Sequence, residues 1–234
     1  MEKQLRLDKL LADTGRWSRK DAKNLLKQGR VRIDGEVEKS PDRKVDPSAH
    51  TVTVDGERVG WAAFRYLMLH KPGGVLTATE DRRQKTVLDL LPEEYRGLFP
   101  VGRLDKDTEG LLLLTDDGEL AHRLLSPRHH VDKVYLAEID GEVDETDVAA
   151  FQAGLTLGDG TLCLPAGLES LGKGKCLVTL REGKFHQVKR MLALRGKPVV
   201  KLKRLSMGGL TLDETLFPGQ FRYLTAEEVE MLKK

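Results

Sequence analysis

Residues 102–118 read GRLDKDTEGLLLLTDDG. An arginine, Arg103, and two carboxylates, Asp105 and Asp107, crowd a short charged loop. Gly110 then introduces four consecutive leucines, and Asp116-Asp117-Gly118 closes the run with a turn signal. A charged loop that feeds directly into a fully apolar strand holds its side chains rigidly beside a core. Such a place suits a poised carboxylate.

Outward from this run, strand and turn signals dominate. They are RYLMLHKPGGVLTAT from residue 65, KVYLAEI, GLTLG at 154–158, CLVTLREG, KPVVKLKRL and GGLTL. Helical patterns fall between them at 118–125, 144–154, 186–195 and 225–233. Strands and helices do not alternate regularly, so a mixed, mainly antiparallel α+β domain over residues 65–234 is expected rather than a doubly wound parallel sheet. Residues 59–64 read as a linker, and residues 1–60 as a smaller module. There Leu7, Leu10 and Leu11 have helical spacing and Gly15 is a stop signal. Ser18 and Asp21 form a capping-box pattern before a second helix. That helix sets Ala22, Leu25 and Leu26 on one face and Arg19, Lys20, Lys23 and Lys27 largely on another, and Gly29 ends it. VRIDG at 31–35 and TVTVDG at 51–56 read as short strands with turns.

Composition narrows the class. With 32% charged residues, and no apolar run near the ~20 residues of a spanning helix, a membrane protein is not expected. The N-terminus lacks a signal-peptide pattern, and Cys163 and Cys176 form neither a disulfide framework nor a zinc motif, so a cytoplasmic protein is expected. The net charge of +2 conceals asymmetry: residues 1–32 carry ten Lys/Arg against four Asp/Glu, and residues 181–204 nine against one. Two basic stretches on an otherwise acidic chain suit a binder of phosphate backbones. No phosphate loop, nucleophile elbow or H-E-x-x-H pattern is present, and His122, His129 and His130 have no recognised zinc spacing. Asp105 and Asp107, two residues apart, make a poor glycosidase pair because they would not flank a substrate bond.

Helix, cationic helix and V-x-I-D-G strand-turn over roughly residues 4–58 resemble the S4 RNA-binding domain. GRLDKDTEGLLLLTDDG resembles the signature of pseudouridine synthases of the RsuA/RluA type, which isomerise uridine within RNA. SPRHHVDKVYLAEI at 126–139 and EGKFHQVKRM at 182–191 resemble the family's second and third blocks, and VVKLKRLSMGGLTL follows in order.

The resemblance implies a cofactor-free isomerase without a metal. Asp105 would be the nucleophile, attacking either the ribose C1′ or the uracil C6. Tyr135 would stack on the target base, and Lys184 would pair with the aspartate. Arg103 would occupy the space left by a flipped uridine. RNA contacts would come from Arg6, Lys9, Arg19, Lys20, Lys23, Lys27 and Arg30 in the first module, and from His186, Gln187, Lys189 and Arg190 in the second. The FHQVKRM and SPRHH wordings resemble the branch acting on 16S rRNA, which implies uridine 516 as target. The implied partner is 16S rRNA in a partly assembled small ribosomal subunit, bound by a monomer. A 23S rRNA target, or a non-catalytic ribosome-assembly factor, are the competing readings.

Overall fold

The computed structural model describes residues 4–14, 16–47, 49–59, 64–126 and 129–233. Gly15, residues 60–63 of the linker, and Pro127 and Arg128 of the SPRHH wording lie outside these. The chain divides into two compact units, Met1–Arg65 and Tyr66–Lys234.

The first unit is built from local signals. After a two-residue strand β1 (Leu5–Arg6), Leu7, Leu10 and Leu11 drive helix α1 (Leu7–Asp13) and are fully buried. Helix α2 (Arg19–Lys27) begins at a complete capping box. The Asp21 amide donates to the Ser18 hydroxyl at 3.1 Å, and the Ser18 amide donates back to the Asp21 carboxylate at 3.3 Å. The helix ends where Gly29 turns left-handed at φ 71°. Its amide and that of Arg30 donate back to Leu26 and Leu25, the double bond of a Schellman ending. Strands β2 (Val31–Ile33) and β3 (Glu36–Val37) form a hairpin, as do β5 (Val52–Val54) and β6 (Glu57–Arg58), while β4 (Lys44–Val45) pairs with β1. Both hairpins turn on Asp-Gly with positive φ at both residues, which a type I′ turn requires. Ala22, Leu25 and Leu26 pack on Val31, Val52 and Val54, and Arg19, Lys20, Lys23 and Lys27 stay exposed.

The second unit is a nine-stranded sheet flanked by helices. In chain order it runs through β7 (Tyr66–Lys71), β8 (Phe99–Pro100), β9 (Glu109–Thr115), α3 (Gly118–Leu125), β10 (Lys133–Ile139), α4 (Glu145–Ala153) and β11 (Gly167–Gly172). It continues through β12 (Lys175–Leu180), α5 (Gln187–Leu194), β13 (Val199–Met207), β14 (Leu210–Thr211), β15 (Phe221–Tyr223) and α6 (Ala226–Lys233). The strand order is β11-β12-β10-β13-β9-β7-β15, with β14 on β13 and β8 on β9. Every ladder is antiparallel except β9 with β13. The class is therefore α+β, with a mixed, mainly antiparallel sheet.

The unbroken leucine run follows from this layering. Leu112 and Leu114 enter one core with Phe151 of α4 and Val188, Met191 and Leu192 of α5. Leu111 and Leu113 enter a second core on the other face, with Leu120 and Leu124 of α3 and Leu232 of α6. A strand covered on both sides needs no polar alternation.

GLTLG at 154–158 departs from expectation. It forms only an isolated bridge, Thr156 with Leu162, instead of a strand. Gly154, at φ 84°, closes α4, and a Cβ there would sit 2.7 Å from the Cys163 carbonyl oxygen. The chain then folds back, with Cys163 donating to Leu155 and Leu157 donating to Thr161, so the segment pairs with its own return leg. No helix among the described residues is long and apolar enough to cross a membrane.

Candidate active site

A cleft in the second unit is lined by Arg103, Asp105, Thr108, Tyr135, Lys184 and His186, over a floor that includes Leu104, Leu180, Val188 and Leu202. Three segments far apart in sequence supply it: the loop before β9, the centre of β10, and the turn before α5.

The loop is pinned from beneath. The Thr77 hydroxyl donates to the Leu104 carbonyl at 2.7 Å and accepts from the Leu104 amide at 3.2 Å. Lys71, the last residue of β7, is wholly buried, and its ammonium donates to the carbonyls of Pro72, Lys106 and Thr108 at 2.9, 3.1 and 2.8 Å. The Gly74 amide adds a bond to Lys106 at 2.8 Å. Asp105 thus sits between two anchored peptides. Burial pushes the Lys71 ammonium down to about 8, against the pull of Asp107, Asp105 and Glu109. It remains protonated at neutral pH. Beyond the loop, Gly110 at φ 106° lets β9 lie against β13, where a Cβ would meet the Arg204 carbonyl oxygen at 2.2 Å.

An ammonium and an imidazole from the segment around the start of α5 reach Asp105. Lys189 Nζ lies 3.3 Å from Oδ2, and His186 Nε2 lies 3.5 Å from Oδ1. Lys189 also bonds Asp107 at 2.5 Å and holds that carboxyl below its ordinary range. Tyr135 is buried in the cleft wall, on a strand paired on both sides, opposite Val178 and Arg204. Arg103 is exposed on the cleft rim, and among the described residues it forms no ion pair with Asp105 or Asp107.

Lys184 corrects the expected pairing. It lines the cleft, yet its ammonium is held by Glu182 at 2.5 Å and by the Leu162 carbonyl at 2.6 Å. Glu182 is itself fixed by the Leu164 amide and by Gln187. The partners of Asp105 are Lys189 and His186. Gln187 likewise does not face outward. It is buried, its side-chain oxygen accepts from the Lys184 amide, and its nitrogen donates to Glu182. Polar and charged types in EGKFHQVKRM suggest an RNA-facing helix, but Gln187 shares the buried face with Val188 and Met191.

The second basic stretch is largely neutralised within the fold. Arg190 pairs with Asp159 at 2.6 Å, Arg195 and Lys197 clasp the buried Asp147, and Arg204 is buried with Nε donating to the Leu111 carbonyl. In the first unit, Arg6 pairs with Asp8, Lys9 with Asp13 and Arg30 with Asp55, so the cationic surface lies mainly on α2. Lys71, Thr77 and Glu182 were not singled out from sequence. The only available signal was the placement of Lys71 just before a Pro-Gly-Gly turn.

A model of the RNA pseudouridylate synthase family matches residues 65–194, and an S4 domain model matches residues 5–50. The chain belongs to the RNA pseudouridylate synthase family. This synthase is 50% identical to an uncharacterised RNA pseudouridine synthase of Bacillus subtilis (strain 168), over 98% of this chain and 99% of that one. It is 44% identical to the ribosomal small subunit pseudouridine synthase A of Vibrio cholerae, over 98% of this chain and the whole of the relative. Among solved structures, a crystal structure of a pseudouridylate synthase aligns with a TM-score of 0.69 and 38% identity, over 97% of the synthase and 99% of that chain.

Proposed function

We propose that this synthase converts one uridine of 16S ribosomal RNA, uridine 516, to pseudouridine, with Asp105 as nucleophile. The observation that carries the reading is a carboxylate on a pinned loop, flanked by the Lys189 ammonium and the His186 imidazole and sharing a cleft with a buried tyrosine. The reaction breaks an N-glycosidic bond, turns the uracil and rejoins it through carbon, with no change of redox state. A rigid carboxylate is suited to forming the transient covalent adduct, at the ribose C1′ or the uracil C6, that lets the base turn. Lys189 at 3.3 Å and His186 at 3.5 Å hold the carboxylate oxygens in place. The target atom is unreachable within a stack, so the nucleotide must be extruded into the cleft. Tyr135 supplies the apolar face against which the base lies and a hydroxyl for proton movement, and Arg103 on the rim fills the gap. The exposed cations of α2 give the S4 unit a surface for RNA phosphates. The small-subunit target is supported by the name of the Vibrio cholerae relative, 44% identical over its whole length. The substrate is a partly assembled small subunit, engaged by a monomer.

The test is purified Asp105→Asn beside the wild type on 16S RNA, free and carrying small-subunit proteins. Chemical marking and sequencing of pseudouridine give the readout. Wild-type conversion at one 16S site and none in the variant are expected. An active variant refutes Asp105 as nucleophile, and a wild type inactive on every 16S substrate refutes the activity. A deletion strain that loses a 23S pseudouridine and keeps its 16S sites refutes the target.

A further inference from the structure

Phe185 lies between two residues of the cleft wall, Lys184 and His186, and is 75% exposed. A large aromatic ring left in water forgoes burial that stabilises proteins. His186 adopts the left-handed conformation, φ 49° and ψ 34°, which disfavours any non-glycine residue. That turn lays the imidazole flat on the phenyl ring, with centroids 3.8 Å apart and planes 17° from parallel. The Nε2 of the same imidazole points to Asp105 at 3.5 Å. Exposed ring, imidazole and carboxylate therefore form one continuous ladder.

We propose that Phe185 is a stacking platform for an unpaired RNA base next to the target uridine. This rests on the activity proposed above. Extruding a nucleotide breaks its stacking with both neighbours, which leaves a bare base face close to the site of extrusion. Aromatic side chains capture such faces by stacking, whatever the base. Lys184 is held by Glu182 and Lys189 by Asp105 and Asp107, so the exposed ring face of Phe185, not local charge, makes the contact. The target itself belongs deeper, against Tyr135.

The experiment uses the full chain with Phe185→Ala, Phe185→Leu and Phe185→Trp, and a 16S fragment with 2-aminopurine placed in turn on either side of the target. Removing a base–aromatic stack should weaken RNA binding about 5- to 150-fold in the Ala variant. Leu should be equally weak and Trp close to wild type, with melting temperatures unchanged because the ring is exposed. One 2-aminopurine position should be quenched by the wild type and not by Ala. The half-saturating RNA concentration should carry most of the loss, not the saturating rate. Binding by Ala equal to wild type, or by Leu equal to Phe, overturns the platform. So does a loss seen only on RNA carrying ribosomal proteins, which would mark a protein contact. Quenching that depends on Phe185 in a wild type that makes no pseudouridine would uphold the platform and refute the activity instead.

Discussion

Lys71→Met tests the account of the pinned loop at its most exacting point. Lys71 has no solvent exposure, and burial lowers its ammonium from 10.5 to about 8. Below pH 8 the lysine is protonated in both folded and unfolded chains, and the whole penalty of burying the charge stands. Between pH 8 and 10.5 the folded lysine has released its proton and the unfolded one has not. Unfolding then takes up a proton, so stability rises with pH across that window. At about 1.4 kcal/mol per pH unit, the rise is roughly 3 kcal/mol. Methionine at this position does not titrate, so the wild type should gain that amount relative to Lys71→Met between pH 7.5 and 10.5. Urea unfolding of both proteins across the series measures it, and groups common to both cancel in the difference. Activity should move the opposite way. An ammonium has three protons for the carbonyls of Pro72, Lys106 and Thr108, whereas a neutral amine has two. The loop bearing Asp105 loses a tether just as the fold gains stability, so turnover should fall above pH 8. A stability difference that stays flat with pH would refute the reasoning.

Other perturbations have simpler signatures. Gly110→Ala places a Cβ 2.2 Å from the Arg204 carbonyl at φ 106°, so β9 and β13 must part; a loss above about 3 kcal/mol in chemical denaturation is expected. Ser18→Ala removes one side of the capping box and should destabilise the first unit by about 1 kcal/mol, read by hydrogen exchange in α2. Lys23→Ala should leave folding intact and make the log–log salt dependence of RNA binding shallower by about 0.7 to 0.9; an unchanged slope would remove Lys23 from the phosphate contacts.

How far the sequence could be read depends on the range of each interaction. The Ser18–Asp21 box, the Asp-Gly hairpins and the helix at 118–125 are set by neighbours a few residues apart, and they fold as their patterns say. The leucine run announced a strand without saying why it lacked polar alternation; the reason is two cores, whose helices come from elsewhere in the chain. GLTLG has strand composition, but it bonds to its own return leg a few residues on and joins no ladder of the sheet. The gathering of Asp105, Tyr135 and Lys184 in one cleft came from resemblance to a family, not from spacing. The pairing within it was misjudged because a lysine finds the nearest fixed carboxylate. For Lys184 that is Glu182, two residues away and itself tied down by a backbone amide. Charge counting failed over 181–204 for a related reason. A local tally does not see Asp147, Asp159 and Asp107, which return from distant segments to meet those cations.

The strand that carries Lys71 bonds on one side to β9 and on the other to β15, about 150 residues later, with Phe221 opposite Leu69 and Tyr223 opposite Leu67. During synthesis this gives the two units different histories. The first unit, closed by contacts within its own 65 residues, can settle as soon as it clears the ribosomal tunnel. The catalytic sheet keeps an unpaired edge beside its loop anchor until residues 221–223 have emerged. An RNA-docking module is thus complete on the nascent chain while the catalytic centre is still unfinished, and binding precedes the capacity for chemistry.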